Sequence, residues 1–418
     1  MRQEEDTATQ ENRLRSHILV WSTVCAVCTS FAFVSYSLFL PAFLAEFHWG
    51  RGAAALPFSL AMVCWGAMQP VAGALADRWG TRPVLLAGIL VSALGFLTMG
   101  IAQSLWQVAL GFGVLLGSAT SACGSLMWAL LIAKWFPGAR RGAAVGILQA
   151  ATPASPLVLA PLLFVVMAQY GWRAAAVGLG LGLLLLAFPL AWCIVHDPPA
   201  TAGGAPGGTA TQPRGRMQDV RALVRRRPLR NLMLARIACG LSFFLIPHLA
   251  AAATAAGLTP AQGATAVALY GLASTLGALA GGLAADRWGR VPTLMATYGL
   301  RGLGALALAL PGMPAAWFYP AMALAAGPIF ATVTINTVQT FELVGPQRAG
   351  LILGVSFVVH QVAAAVSPYA SGLLFDATGS YRLAFSILGV VMLLALLPAA
   401  GTHPEGDPQR APLPSVAT

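Results

Sequence analysis

The chain has 418 residues, of which 58% are hydrophobic and only 9% charged; a soluble domain carries roughly a quarter charged residues, so most of this chain belongs in lipid. Its net charge of +11 would suit nucleic acid, but almost every basic residue stands in a short turn between apolar runs, the arrangement that orients a membrane protein. Six cysteines fall inside apolar runs and Cys25-Ala-Val-Cys28 has no second pair, so no metal or redox use is expected, and no cofactor.

Residues 1–17 are polar and of mixed charge, and are expected to form a disordered tail. A spanning helix needs roughly 20 apolar residues. Runs centred near Ser30, Val63, Ala93, Val114, Pro153 and Leu184 meet that test within 18–195. Six more, near Ser242, Ser274, Leu303, Ile329, Val362 and Val390, meet it within 229–400. The fold expected is an all-α membrane protein of twelve transmembrane helices in two six-helix halves. Pro153, Pro156 and Pro161 interrupt helix 5, which spanning helices tolerate when neighbours re-satisfy the backbone. Small residues crowd 111–124 and 271–282, where helices can approach closely. Between the halves, 196–228 is rich in Gly, Pro and Thr and reads as a flexible linker. It runs out through Arg221-Ala-Leu-Val-Arg225-Arg226-Arg227, which as a helix would lie on anionic membrane lipid. Residues 401–418 form a second polar tail.

One turn occurs twice. Gly73-Ala-Leu-Ala-Asp77-Arg78-Trp79-Gly80-Thr81-Arg82-Pro83 follows helix 2, and Gly282-Leu-Ala-Ala-Asp286-Arg287-Trp288-Gly289-Arg290-Val291-Pro292 follows helix 8. Asp77 and Asp286 stand 209 positions apart (286 − 77), half the chain. Arg141 and Arg348, Pro161 and Pro368, and Gly171-Trp172-Arg173 and Ser380-Tyr381-Arg382 share nearly the same offset. Repetition at half length in a membrane chain marks a two-halved, pseudo-symmetric transporter. With the N-terminus inside, inner segments collect Arg78, Arg82, Lys134, Arg140, Arg141, the arginines of 214–230, Arg287, Arg290 and Arg348. The outer loops keep only Arg51, Arg173 and Arg382. Both termini are therefore expected in the cytoplasm.

Two such turns joined by an inner linker resemble the major facilitator superfamily over about 18–400. A narrower resemblance, to the bacterial monocarboxylate-porter and oxalate–formate branch, rests on Trp135-Phe136 before Arg140-Arg141-Gly142-Ala143-Ala144-Val145-Gly146, and on Glu46-Phe47-His48-Trp49-Gly50-Arg51. It rests also on His248-Leu249, and on His360-Gln361 ahead of Phe375-Asp376-Ala-Thr-Gly379-Ser-Tyr381. The resemblance implies a monomeric transporter in a bacterial inner membrane, working by rocker-switch alternating access. It implies gating by Gly73, Asp77, Arg78, Gly80 and Arg82, and by Gly282, Asp286, Arg287, Gly289 and Arg290. In it Asp77 docks on the start of helix 11, near Gly345-Pro346, where an aspartate is stabilised by the helix dipole. Helix 8 lacks the acid and arginine of the animal carriers, since Leu269 to Ala285 holds no charge.

All thirteen acidic residues fall in loops, tails or helix ends by these limits. The proton pumps and cation exporters that use a mid-membrane carboxylate are disfavoured. The mid-membrane ionisable groups are Arg301, His248 and His360, with Arg236 nearer the inner surface, where it could snorkel. Such a lining favours an anion. Arg301 is the group most costly to bury, and a guanidinium matches a carboxylate through two parallel bonds. A packed arginine bonded to a neighbouring helix is the structural alternative. His360 and His248 are candidates for substrate or proton contact. Gln361, Tyr36, Asn336, Gln149 and Gln339 are further polar candidates. No catalytic or nucleotide motif is present, so the chain is expected not to be an enzyme and to draw on gradients. The reading is a secondary transporter of a small organic anion, a monocarboxylate by resemblance. The alternatives are an exporter of apolar drugs and a non-transporting receptor.

Overall fold

The structure, a computed structural model, describes residues 2–136, 140–197, 225–312 and 314–402; of 2–13 and 346–351 it describes the backbone alone. Among the described residues it is helical, with no strand. Ten stretches are long and apolar enough to cross a membrane. They supply α1 Leu14–Phe47, α2 Arg51–Trp79, α3 Thr81–Gly100, α4 Leu105–Trp135, α7 Arg227–Ala255, α8 Pro260–Trp288, α10 Ala315–Val344 and α12 Arg382–Ala400. One stretch, Arg140–Ile194, is broken by Gly171 at φ 80°, ψ 166° and gives α5 (140–170) and α6 (172–194). Another lies within α11, Pro346–Thr378. The remaining helix, α9 Arg290–Ala309, misses the test because Arg301 sits in its middle. The helix that becomes α1 starts at Arg2, so 2–17 corrects the expectation of a disordered tail. That stretch is polar, but Glu, Gln, Ala and Arg are good helix formers. The linker 198–224, Gly138 and the tail 403–418 lie outside the described residues.

The helices of each half pack chiefly on one another, and the halves meet along three seams, α2 against α11, α5 against α8 and α1 against α7. Both expected small-residue stretches sit at tight crossings. A Cβ on Gly117 would fall 2.6 Å from Ala61 Cα, and one on Gly277 only 2.2 Å from Gly327 O. At the seams the packing changes along the bundle axis. Toward the end opposite the repeated turns it is tight: a Cβ on Gly372 would meet Gly52 N at 2.5 Å. At mid-depth Gln361 Nε2 donates to Met62 O at 3.2 Å, and Trp65 meets Phe357 edge-on at 5.7 Å. Beyond them, at the turn end, Gly73, Gly142, Gly146, Gly282 and Gly354 would meet nothing within 4 Å. The halves are thus bonded across the seam at one end, and at the other, the parted end, these glycines of the described residues face open space.

The repeated turns have a backbone reason for their last glycine. Gly80 (φ 92°, ψ 165°) and Gly289 (φ 88°, ψ 159°) adopt the same conformation, one essentially reserved for glycine. Each ends one helix and starts the next without a loop.

Candidate functional site

The polar interior lies at mid-depth in the C-terminal half, between α7, α9, α10 and α11. Close backbone approach builds it. A Cβ on Gly240 would stand 2.4 Å from His360 O, and one on Gly304 2.4 Å from Ala325 N. These contacts draw α7 onto α11 and α9 onto α10, and they turn Arg301 inward. The residue is 1% exposed. Nη2 donates to Ser242 Oγ. Nη1 donates to Thr332 Oγ1 at 3.3 Å and reaches Cys239 Sγ at 3.7 Å. Nε has no partner. Bonds to hydroxyls and a thiol of α7 and α10 hold this arginine.

Arg236, expected to snorkel, is instead buried in the same cluster: Nε donates to Ser356 Oγ at 3.1 Å and Nη1 is unpartnered. His360 is buried, with Nδ1 3.0 Å from Gln361 Oε1, its ring edge-on to Phe243 and Nε2 unpartnered. Neither polar atom of buried Asn336 finds a partner. The cluster therefore contains two guanidinium groups, a histidine and an amide. The titratable neighbours at its centre, around Cys239, are Arg301, His360 and Arg236, with no carboxylate among them. Burying an ion without a partner costs several kcal/mol even after relaxation. Each hydrogen bond to a charged group returns about 1.5–3 kcal/mol. Arg301 has such bonds but no opposite charge, and unpartnered N–H groups converge on the same region.

The other expected site residues stand elsewhere. His248 is fully buried, with both ring nitrogens engaged: Nε2 donates to Pro368 O at 2.9 Å, so Nδ1 accepts from Tyr381 Oη at 2.8 Å. Tyr36 donates to Ala54 O at 2.6 Å inside an aromatic cluster with Phe43, Phe58 and Phe112. Gln339 Nε2 donates to Thr402 Oγ1 at 3.2 Å. Gln361 ties the halves together, and Gln149 is exposed on α5. None of His248, Tyr36, Gln149 or Gln339 bonds to the arginine cluster.

At the closed end the structure shows a latch that sequence reading missed. Asp376, in the last turn of α11, accepts from the backbone N–H of Arg51 at 2.7 Å and of Gly52 at 2.9 Å, the first residues of α2. Arg51 returns across the seam: its guanidinium carbon is 3.5 Å from the Phe375 ring centre and 4.9 Å from that of Tyr381. Through Tyr381 this latch reaches His248. At the parted end, Asp77 and Asp286 are exposed, and among the described residues neither makes a hydrogen bond or ion pair. The expected seat of Asp77 on the start of α11 is therefore not made here, because the halves are apart at that end. The turn is instead tied within its own half by Asp197, an aspartate taken for part of the linker. Its carboxylate accepts from Thr81 N and Arg82 N, both at 3.1 Å, and stands 3.5 Å from Lys134 Nζ. In the second half Arg290 pairs with Glu342.

Two helical bundles, latched at one end and parted at the other, with a polar cluster at mid-depth inside the C-terminal bundle, have the build of a membrane transporter. The family model of the Major Facilitator Superfamily matches residues 22–368, and the chain belongs to that family. It is 31% identical over 378 residues to human monocarboxylate transporter 11, covering 84% of this chain and 75% of that one. It is 24% identical over 397 residues to the uncharacterized MFS-type transporter YcxA of Bacillus subtilis, covering 92% and 95%. Among solved structures, a D-xylose-proton symporter shares the fold with a TM-score of 0.72 at 15% identity, over 93% of this chain and 98% of that one.

Proposed function

We propose that this transporter is a secondary carrier of a small organic anion of the monocarboxylate class. The observation that carries the reading is the buried group of Arg301, Arg236 and His360, which has unpartnered donors and no acidic neighbour. A carboxylate supplies what the group lacks: one negative charge and two acceptor oxygens in the plane of a guanidinium fork. The names of the relatives, monocarboxylate transporters among them, agree with that class. Arg301, Arg236, His360 and Asn336 form the seat, with Gln361 at its border with α2. Tyr36 and His248 brace the helices around it.

Alternating access follows from the two ends. Gly73 to Arg82 and Gly282 to Arg290 gate the parted end, and Asp376 with Arg51 gates the other. The Lys and Arg bias puts the parted end and both termini in the cytoplasm, of a bacterial inner membrane, so this conformer faces inward. The 196–228 and terminal segments then lie on the same side, and a single chain suffices for the cycle. The test is uptake of a panel of radiolabelled short-chain carboxylates, against apolar amines, by reconstituted protein. Saturable carboxylate uptake supports the reading. Transport of the amines with no carboxylate flux contradicts it.

A further inference from the structure

α7 is not one continuous helix. It is α-helical over Arg227–Leu241, tightens to a turn of 3-10 helix at Ser242–Phe244 and resumes over Leu245–Ala255. A 3-10 turn inside a helix often marks a hinge. Two further features weaken the helix there. Ser242 Oγ donates back to Cys239 O at 2.6 Å, a kind of bond that bends helices. Pro247 has no N–H to give the carbonyl of Phe243, four residues back. The two pieces of α7 hold different partners. The inner piece carries Arg236 and Cys239, and its Gly240 lies tight against His360 O of α11. The outer piece holds the closed end. His248 bonds to Pro368 O and Tyr381 Oη. Ala250 N donates to Ser37 Oγ of α1 at 3.1 Å, and Ala251 O accepts from Arg51 Nη1 at 3.4 Å.

The first half has a matching break. Its opening helix stops at Val34 and restarts at Tyr36, and Ser35 Oγ donates to Ala32 O at 2.7 Å. Ser35 and Ser242 stand 207 positions apart (242 − 35), as do Pro161 and Pro368 (368 − 161). Both serines are fully buried. They differ in one contact. Ser242 Oγ also accepts from Arg301 Nη2, whereas among the described residues no charged side chain bonds to Ser35. The duplicated break is gripped by a buried cation in the second half alone.

We propose, resting on the organic-anion reading above, that Ser242 is the positioning residue that couples a filled seat to the closed end. With the seat empty, Arg301 pins the break in α7 against α9, and the outer piece keeps its contacts with the other half. The guanidinium nitrogen without a partner is Nε. A carboxylate that takes it through two parallel N–H bonds draws the second from Nη2, whose N–H runs alongside. Nη2 is the nitrogen on Ser242. Substrate capture therefore exchanges the serine hydroxyl for a carboxylate oxygen, and Ser242 keeps only its bond to Cys239 O. The outer piece is then free to tilt about 242–247 and to draw Ala250 and Ala251 away from Ser37 and Arg51. A ligand shifts an equilibrium only by what it binds differently in the two states. Here the difference is the Arg301–Ser242 bond: the empty protein must break it to open the closed end, and the loaded protein has already replaced it. A bond of this charged kind corresponds to roughly 10–150-fold in the open-to-closed ratio.

Spin labels at exposed Ala45 and Ala255 report the closed end as a distance distribution, read without ligand and with saturating acetate, lactate or pyruvate. Binding of the same acids is measured alongside. The parent should be closed when empty, and bound acid should raise its longer-distance population roughly tenfold or more. Ser242→Ala, and Ser242→Cys, which keeps the bulk with only a weak acceptor, should show that population without acid. Both should bind acid at least as tightly as the parent and gain little when it is added. Ser242→Thr keeps the hydroxyl and should respond as the parent does. Ser35→Ala removes the matching bond in the first half without touching a cation, and should keep the response. If both Ser242→Ala and Ser242→Cys stay closed when empty and open normally with bound acid, the coupling is overturned and the anion reading stands. The same holds if Ser35→Ala loses the response as they do. A parent that binds none of these acids overturns the anion reading, and the coupling with it.

Discussion

The latch at the closed end gives the sharpest mechanical prediction. Asp376→Asn keeps the side-chain shape and one acceptor oxygen but removes the charge that faces the first N–H groups of α2. A hydrogen bond to a charged group contributes about 1.5–3 kcal/mol and a neutral one about 0.5–1.5 kcal/mol; the carboxylate also contributes about 0.3–1 kcal/mol against the helix dipole. Asp376 is exposed, so the lower ends of these ranges apply and the loss is about 1–2 kcal/mol. That shifts the balance between closed and open by about 5–30-fold. Gly372→Ala acts on the same seam by sterics. Its Cβ would lie 2.5 Å from Gly52 N and 2.6 Å from Arg51 C, backbone atoms that cannot rotate away. Spin labels at exposed Ala45 and Ala255, in a cysteine-depleted background, report the opening as a distance distribution. Both variants should add a longer-distance population that the parent lacks, with Gly372→Ala the larger. Distributions identical to the parent in both well-folded variants would refute the latch.

Gly80→Ala should lower the melting temperature, because the backbone conformation there costs a side chain about 1–3 kcal/mol and its Cβ would stand 2.6 Å from Asp197 Oδ2; Gly73→Ala, inside a helix and with nothing within 4 Å, should keep or raise it. Asp77→Asn should leave the stability of this conformer within about 0.5 kcal/mol, as expected of an unpartnered surface group, yet slow exchange by weakening the state in which the turn end is shut. A charge–dipole contact of about 0.3–2 kcal/mol is at stake there. Asp286→Asn should slow it less, since Arg140 and Arg141 offer the second turn further anchors, and a larger effect in Asp286→Asn would reverse the assignment of the gate.

Much of the fold could be read from the chain because hydropathy and repetition are local properties. The two turns named their own helix ends, and Gly80 and Gly289 proved to be glycines for one shared backbone reason. Residues whose role depends on a distant partner stayed hidden. Asp197 looked like a linker charge, although it stands over the start of α3, about 115 positions back. Asp376 looked like an outer-loop acid until α2 was laid against α11. Arg236 looked free to snorkel, because nothing local says that Ser356 lies beside it. Cys239 read as a small apolar residue, and only the fold puts it next to Arg301. The extension of the first helix to Arg2 was missed because hydropathy measures affinity for lipid, not helical propensity.

The central claim is that the buried arginine seat selects negative charge. The most direct measurement compares binding of a short monocarboxylate with binding of its isosteric neutral amide, to the parent protein and to Arg301→Lys and Arg301→Gln. Losing a charge-assisted bond of about 1.5–3 kcal/mol corresponds to roughly 10–150-fold in affinity. The expected result is that the parent binds the carboxylate at least tenfold more tightly than the amide, that Arg301→Lys keeps part of the preference, and that Arg301→Gln loses it. Equal affinity for acid and amide in the parent, or an undiminished preference in folded Arg301→Gln, would contradict the account.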